Sequence, residues 1–287
     1  MDAIKTTSLT KYYGRARGIT DMNLTVEQGD FFGFIGPNGA GKSTTIRTLL
    51  GLTSPSEGSA QILGMDISRQ KEEILSHVGY MPSEASFYRN MRVRDVIGFS
   101  AELRRRDCRA EARNLCERLE LDVNKKIREL SLGNRKKVSI VCALQHMPEV
   151  CILDEPTSGL DPLMQREFYS ILEERNKDGA TIFVSSHILS EVQRYCRHAA
   201  VIREGRLLVS DSTQNLGHTD TKRVRLRGTE LPLELPGMKD VQTDGDSISF
   251  LYSGNLKDLL NVLARLNLTD VSITEPDLEE IFLHYYG

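Results

Sequence analysis

The sequence predicts an α/β fold on a largely parallel sheet, with a second, smaller α/β unit behind it. Two observations carry that prediction. From about residue 150 to residue 202, short apolar runs alternate with helical stretches, the pattern of βαβ units. Earlier, Phe31-Phe32-Gly33-Phe34-Ile35 is a continuous apolar run that ends at a Gly-Pro-Asn-Gly turn and leads into a helix. A strand buried on both faces reads this way, and the turn after it places a glycine-rich loop at a helix N-terminus. A length of 287 residues suits about two domains.

Each element follows from local pattern. Residues 19–26 alternate apolar and polar, as a half-buried strand does. A helix starts at Lys42 and runs to about Leu50, where Gly51 and then Ser54-Pro55 stop it. Residues 83–147 are helical in pattern, with basic faces such as Leu103-Arg104-Arg105-Arg106. Such a basic patch can bind nucleic acid or lipid headgroups, but neighbouring Glu102, Asp107 and Glu111 favour an ordinary solvated face. Strands are expected at 150–153, 181–184 and 199–202, with helices over 164–176 and 188–196. A boundary falls near Leu216-Gly217. Beyond it, strands at 223–227 and 247–251 and helices at 256–266 and 277–284 form the small C-terminal unit. The expected domains are thus 1–216 and 217–287.

Composition narrows the class. With 39% hydrophobic and 27% charged residues, the chain has ample apolar content for a core and does not read as disordered. A formal net charge of -3 argues against a dedicated nucleic-acid binder. No apolar stretch reaches the length of a membrane helix, and the first residues lack the apolar segment of a signal peptide. Five widely spaced cysteines without a CxxC pair read as free thiols in a reducing compartment, so the expected location is cytoplasmic.

The chemistry starts at Gly36, Pro37, Asn38, Gly39, Ala40, Gly41, Lys42, Ser43 and Thr44, which fit GxxxxGK[ST] between a buried strand and a helix. Glycines let backbone N–H groups turn toward phosphate oxygens, and the helix N-terminus adds a favourable partial charge. Lys42 suits the β- and γ-phosphates, and the Ser43 hydroxyl suits Mg²⁺. About 110 residues on, the apolar strand Val150-Cys151-Ile152-Leu153 ends in Asp154 and Glu155. The first carboxylate can hold the metal through its water shell; the second can polarise an attacking water.

Three segments together closely resemble the ATP-binding cassette (ABC) ATPases: residues 36–44, Leu153-Asp154-Glu155-Pro156-Thr157-Ser158-Gly159-Leu160-Asp161, and Ser186-His187. They occur in the family's order, and the likeness covers residues 1 to about 216. One cassette with a short tail closing in Glu275-Pro276-Asp277-Leu278-Glu279-Glu280-Ile281-Phe282 looks like the ATPase subunits of ABC-2-type exporters. The resemblance implies a P-loop NTPase cassette: a RecA-like core, an antiparallel β subdomain and an α-helical subdomain over about residues 84–147.

It also implies ATP and Mg²⁺ as ligands. Asp154 becomes the Mg²⁺-associated acid, Glu155 the catalytic base, His187 the residue at the γ-phosphate, and Tyr13 the adenine-stacking ring, with Tyr12 the alternative. Ser131 and Gly133 become the signature that grips the opposite subunit's γ-phosphate, and Asp161 ends the loop that crosses the dimer interface. The implied partners are a second ATPase subunit and a separate membrane permease, received around residues 83–107, with no nucleic acid. The location becomes the inner face of the cell membrane. The alternative is a soluble ABC ATPase acting on ribosomes or DNA, which usually carries two cassettes or a long insertion.

Two motifs depart from the family's pattern. Where glutamine usually follows Tyr-x-Pro, this chain has Tyr80-Met81-Pro82-Ser83-Glu84. The usual Leu-Ser-Gly-Gly-Gln is Leu130-Ser131-Leu132-Gly133-Asn134.

Overall fold

The computed structural model describes residues 1–14, 16–84, 86–217, 221–228 and 235–274. The chain divides into two compact units, Met1–Asp211 and Ser212–Gly287. The expected helix at 277–284 lies outside the described residues.

The first unit opens with three strands, β1 (Asp2–Tyr13), β2 (Ala16–Met22) and β3 (Thr25–Glu27), followed by β4 (Phe31–Ile35) and helix α1 (Lys42–Leu49). Next come β5 (Glu57–Ile62), β6 (Met65–Asp66), α2 (Lys71–His77) and β7 (Val78–Met81). Helices α3 (Val93–Leu103), α4 (Arg109–Arg118) and α5 (Leu132–Leu144) occupy the stretch that reads as helical. Strands and helices then alternate as β8 (Val150–Asp154), α6 (Pro162–Lys177), β9 (Thr181–Ser186), α7 (Leu189–Tyr195), β10 (His198–Arg203) and β11 (Arg206–Ser212).

Two sheets result. One has the order β2-β1-β5-β6 with β3 beside β1, and its pairings are antiparallel. The other has the order β11-β10-β4-β9-β8-β7, with parallel pairing from β10 through β7. The expected single strand over 19–26 is split. Asp21 takes φ 49°, and the Asn23 side chain accepts the Ser8 N–H at 2.8 Å, so the chain turns there instead of continuing.

The parallel sheet is apolar because both its faces are covered. Phe31–Ile35 and Val150–Asp154 are buried at every position. Phe183 stacks on Phe32 with centroids 5.9 Å apart, and lies 5.4 Å from Phe34. Ile46 and Leu49 of α1 join the same core. This packing fixes the C-terminal ends of β4, β8 and β9 side by side, through the pairs Ile35–Ser186 and Asp154–Ser185. Functional loops at such ends stand on a rigid base.

The second unit contains α8 (Thr213–Gly217), β12 (Lys222–Arg227), β13 (Met238–Asp244), β14 (Ser247–Tyr252), α9 (Leu256–Leu263) and β15 (Asp270–Thr274). Its antiparallel sheet has the order β13-β14-β12-β15. One face carries Val224, Leu226, Ile248 and Phe250, which pack with Leu259 and Leu263 of α9.

Candidate nucleotide site

The loop between β4 and α1 forms a small cradle of about 170 Å³, lined by Gly18, Pro37, Asn38, Gly39, Gly41, Lys42, Ser43, Thr44 and Glu155. Gly41 caps α1 with φ 113°, a conformation only glycine adopts readily, and no side chain caps the helix. A side chain there would also collide with the core, since an added Cβ would lie 3.1 Å from both Ile19 and Ile202. The uncapped N–H groups and the α1 dipole therefore face the cradle.

Lys42 is 5% exposed. Its ammonium donates to Gly36 O at 2.7 Å and Pro37 O at 3.2 Å, and pairs with Glu155 Oε1 at 3.1 Å. His187 Nδ1 lies 3.5 Å from the same carboxylate oxygen. Residues distant in sequence thus converge on one atom. Burial pulls the Glu155 carboxyl upward, but Lys42 and His187 outweigh it and hold the group below the ordinary glutamate range.

Glu155 has φ 47°, which is strained for a residue with a side chain. Two partners hold it there. Its N–H donates to Ser185 O at 3.2 Å and Ser185 Oγ at 3.1 Å. Its carbonyl accepts the Lys136 ammonium at 2.9 Å, which also donates to Ser83 O at 2.7 Å. Burial lowers the Lys136 pKa, and the carboxylates of Asp154, Glu155 and Glu84 oppose that shift. Asp154 is 1% exposed and accepts the Ser185 hydroxyl at 2.6 Å.

The remaining expected residues divide into two groups. Tyr13 sits beside the cradle: a Cβ on Gly18 would meet Tyr13 Cε2 and Thr44 Cγ2, each at 3.3 Å. Its ring is exposed, with Lys11 Nζ 5.4 Å from the centroid. Ser131, Gly133 and Asp161 are not among the residues lining the cradle. Ser131 caps α5 by accepting the Asn134 N–H at 3.3 Å, and Asp161 caps α6 by accepting from Leu163 and Met164. Gly133 approaches the loop before α6, where an added Cβ would lie 2.8 Å from Gly159 O.

Sequence reasoning passed over Lys136 and Ser185. Lys136 belongs to the basic run Arg135-Lys136-Lys137, yet it is 4% exposed. The available signal was its position within a helix whose other residues are largely apolar.

The donor set fits a polyphosphate: an uncapped helix end, glycines at positive φ and a buried ammonium. Ser43 and Asp154 add oxygen donors of the hard kind Mg²⁺ prefers, and they suit an ion that draws its other ligands from phosphate and water. Strand, glycine loop, helix and acidic strand end together define a P-loop NTPase. The ABC transporter family profile matches residues 19–158. The chain is 35% identical to the bacitracin transport ATP-binding protein BcrA of Bacillus licheniformis, over 99% of this chain and 97% of that protein. It is 34% identical to the probable multidrug ABC transporter ATP-binding protein YbhF of Escherichia coli, over 74% of this chain but only 38% of that longer protein. A solved ATP-binding subunit of an ABC transporter superposes with a TM-score of 0.70 at 28% identity, covering 75% of this chain and 91% of that one. The chain belongs to the ABC transporter ATP-binding proteins.

Proposed function

We propose that this chain binds MgATP in the cradle, hydrolyses it with Glu155 as the base, and uses the cycle to drive export through a separate membrane permease. The observation that carries this reading is the convergence of Lys42, Glu155 and His187 at the cradle. Lys42 meets the β- and γ-phosphates, Ser43 and Asp154 hold Mg²⁺, and Tyr13 stacks on the adenine. Glu155 orients the attacking water, and His187 meets the γ-phosphate.

Ser131 and Gly133 lie outside the cradle lining, which supports the reading that they serve the nucleotide of a second ATPase subunit. ATP then favours the closed dimer by binding it better than the open one. The permease docks on the helical region. Tyr88, Phe99 and Leu103 are exposed large apolar side chains there, of the kind that mark contact surfaces. The subunit sits on the cytoplasmic face of the membrane through that permease; among the described residues no helix is long and apolar enough to cross a membrane. The names of two relatives, a bacitracin transport and a probable multidrug transporter ATP-binding protein, support export of bacitracin-like compounds or drugs as the class of task.

The test is phosphate release by the purified chain with MgATP. Hydrolysis lost in Lys42→Ala, together with an ATP-dependent dimer in Glu155→Gln by size-exclusion chromatography, is the expected result. Undiminished hydrolysis in either variant refutes the assignment.

A further inference from the structure

We infer that Glu191 is a positioning residue: it holds the loop that starts at Glu155 and the turn that carries His187 in one register. The inference rests on the ATPase reading of the same site and adds to it a residue that touches no phosphate-binding group. Glu191 is not among the residues lining the cradle.

Three elements meet on its carboxylate. Glu191 Oε2 accepts the Tyr169 hydroxyl of α6 at 3.0 Å, the Thr157 hydroxyl of the loop at 3.1 Å and the Ser186 hydroxyl at the end of β9 at 3.3 Å. All three donors are buried. Thr157 follows Glu155 by two residues, and Ser186 directly precedes His187. The Ser186 hydroxyl also accepts the Ile188 N–H at 2.9 Å, closing a turn around His187, and its proton is shared between Glu191 and Ile188 O at 3.4 Å. Tyr169 is fixed in turn by stacking on Tyr195, with centroids 3.8 Å apart and planes 7° apart. Burial, and then the Glu191 charge, push the Tyr169 hydroxyl far above its ordinary value, so it remains a donor.

The chemistry requires a carboxylate. Three donors converge on one oxygen, and an ionised carboxylate is the side chain that only accepts. Glutamine keeps one acceptor oxygen but adds a donor and loses the charge that strengthens each bond. Without Glu191, the Thr157 and Ser186 hydroxyls lose their shared partner, and Glu155 and His187 can drift relative to each other. Displacements of about an ångström suffice to slow a reaction by up to a hundredfold.

The test uses the full chain as Glu191→Ala, Glu191→Gln and Thr157→Val. Phosphate release gives kcat and KM, a fluorescent ATP analogue gives affinity, and calorimetry gives Tm. Glu191→Ala should lower kcat by on the order of tenfold with analogue affinity within about twofold of wild type. Glu191→Gln and Thr157→Val should fall between. Glu191 acts by keeping Glu155 in register with His187, which matters only while the Glu155 carboxylate is present. Adding Glu191→Ala to Glu155→Gln should therefore change the residual rate by less than about twofold, as expected for residues that act as a unit. A residue that merely stabilises the fold would lower Tm and leave kcat intact at temperatures well below it. If Glu191→Ala does not fold, Thr157→Val and Ser186→Ala each remove one donor and should each lower kcat about two- to fivefold. An active wild type with unchanged kcat in these variants overturns the inference alone, as does a full loss repeated in the Glu155→Gln background. A wild-type chain without ATPase activity overturns the ATPase reading and this inference together.

Discussion

Replacing Glu155 by glutamine separates two things one carboxylate does. In the proposed mechanism it polarises water; in the structure it holds the Lys42 ammonium at 3.1 Å. A phosphate oxygen arriving at Lys42 therefore competes with Glu155. Lys42 is 5% exposed and Glu155 22%, so the pair lies between a surface salt bridge and a buried one. About 1 kcal/mol is a reasonable scale for such a partly screened pair. Glutamine still offers a neutral acceptor, so the variant recovers part of that competition and should bind ATP about two- to fivefold more tightly. Hydrolysis should move the other way. Loss of the carboxylate proposed to orient water should slow the step by on the order of a hundredfold, about 2.7 kcal/mol of barrier.

The assays are a fluorescent-ATP titration with the metal chelated, then single-turnover hydrolysis with MgATP. Weaker binding in Glu155→Gln refutes the competition argument, and an unchanged single-turnover rate refutes the base assignment. The pH dependence gives an independent check. Because the folded-state carboxyl is held low, the stability from this pair is present above about pH 4.5 and lost as pH falls through the lowered value. Wild type and variant should therefore converge in Tm in acid.

Lys136→Met keeps the buried stem but removes charged hydrogen bonds to Ser83 O and Glu155 O. It should cost about 2 kcal/mol, or about 4–8 °C in Tm by calorimetry, and should lower kcat by releasing the strained Glu155 backbone. Burial, aided by Arg104 and Arg106, holds His146 neutral down to about 3. The unfolded chain takes up that proton near pH 6.5 and the folded chain does not, so stability falls as pH drops from 6.5 toward 3. Between pH 7 and pH 5, Tm should fall further in wild type than in His146→Gln. Residues 1–216 alone should bind the ATP analogue with affinity within a few-fold of the full chain, because every cradle residue lies in the first unit; a soluble fragment that fails to bind refutes that independence.

The parts legible in sequence are those whose physics is local. Residues 36–44 carry their geometry in consecutive glycines, and the run Val150–Leu153 before Asp154 and Glu155 shows a buried strand ending in charge. The expected start of α6, at 164, falls two residues late, although Asp161 before Pro162 is a local capping signal and α6 begins there. Strands β5, β6, β7, β11, β13 and β15 were not legible. Met238–Asp244 is mostly exposed and polar, so no alternation announces β13. Asp21 and Asn23 break an apparently continuous strand through a turn that needs Ser8, a partner outside the window. Lys136, Ser185 and Glu191 were missed for a related reason. Each acts through hydrogen bonds to residues distant in sequence, and a lone Lys, Ser or Glu in a helix or strand looks like any other.

Helix α5 ties the two departures from the family pattern to the site. At its start, Ser131 accepts the backbone N–H of Asn134, so the cap does not use the side chain at 134, and asparagine in place of glutamine leaves it intact. Leu132 is 60% exposed, so most of its bulk faces outward; the far end of its side chain covers Gly159, where an added Cβ would lie 3.2 Å from Leu132 Cδ2. Little more than a turn along, Lys136 is bonded to Ser83 and to Glu155. The same helix thus touches the loop after Glu155 at Gly159, the Glu155 carbonyl itself, and the segment where the family's glutamine is replaced by serine. A shift of α5 along its axis changes all three contacts at once. Because the Ser83 carbonyl, and not its side chain, receives the ammonium, this link survives the loss of glutamine. The substitution therefore bears on whatever a longer side chain at residue 83 would reach, and leaves the mechanical connection between the helical region and Glu155 in place.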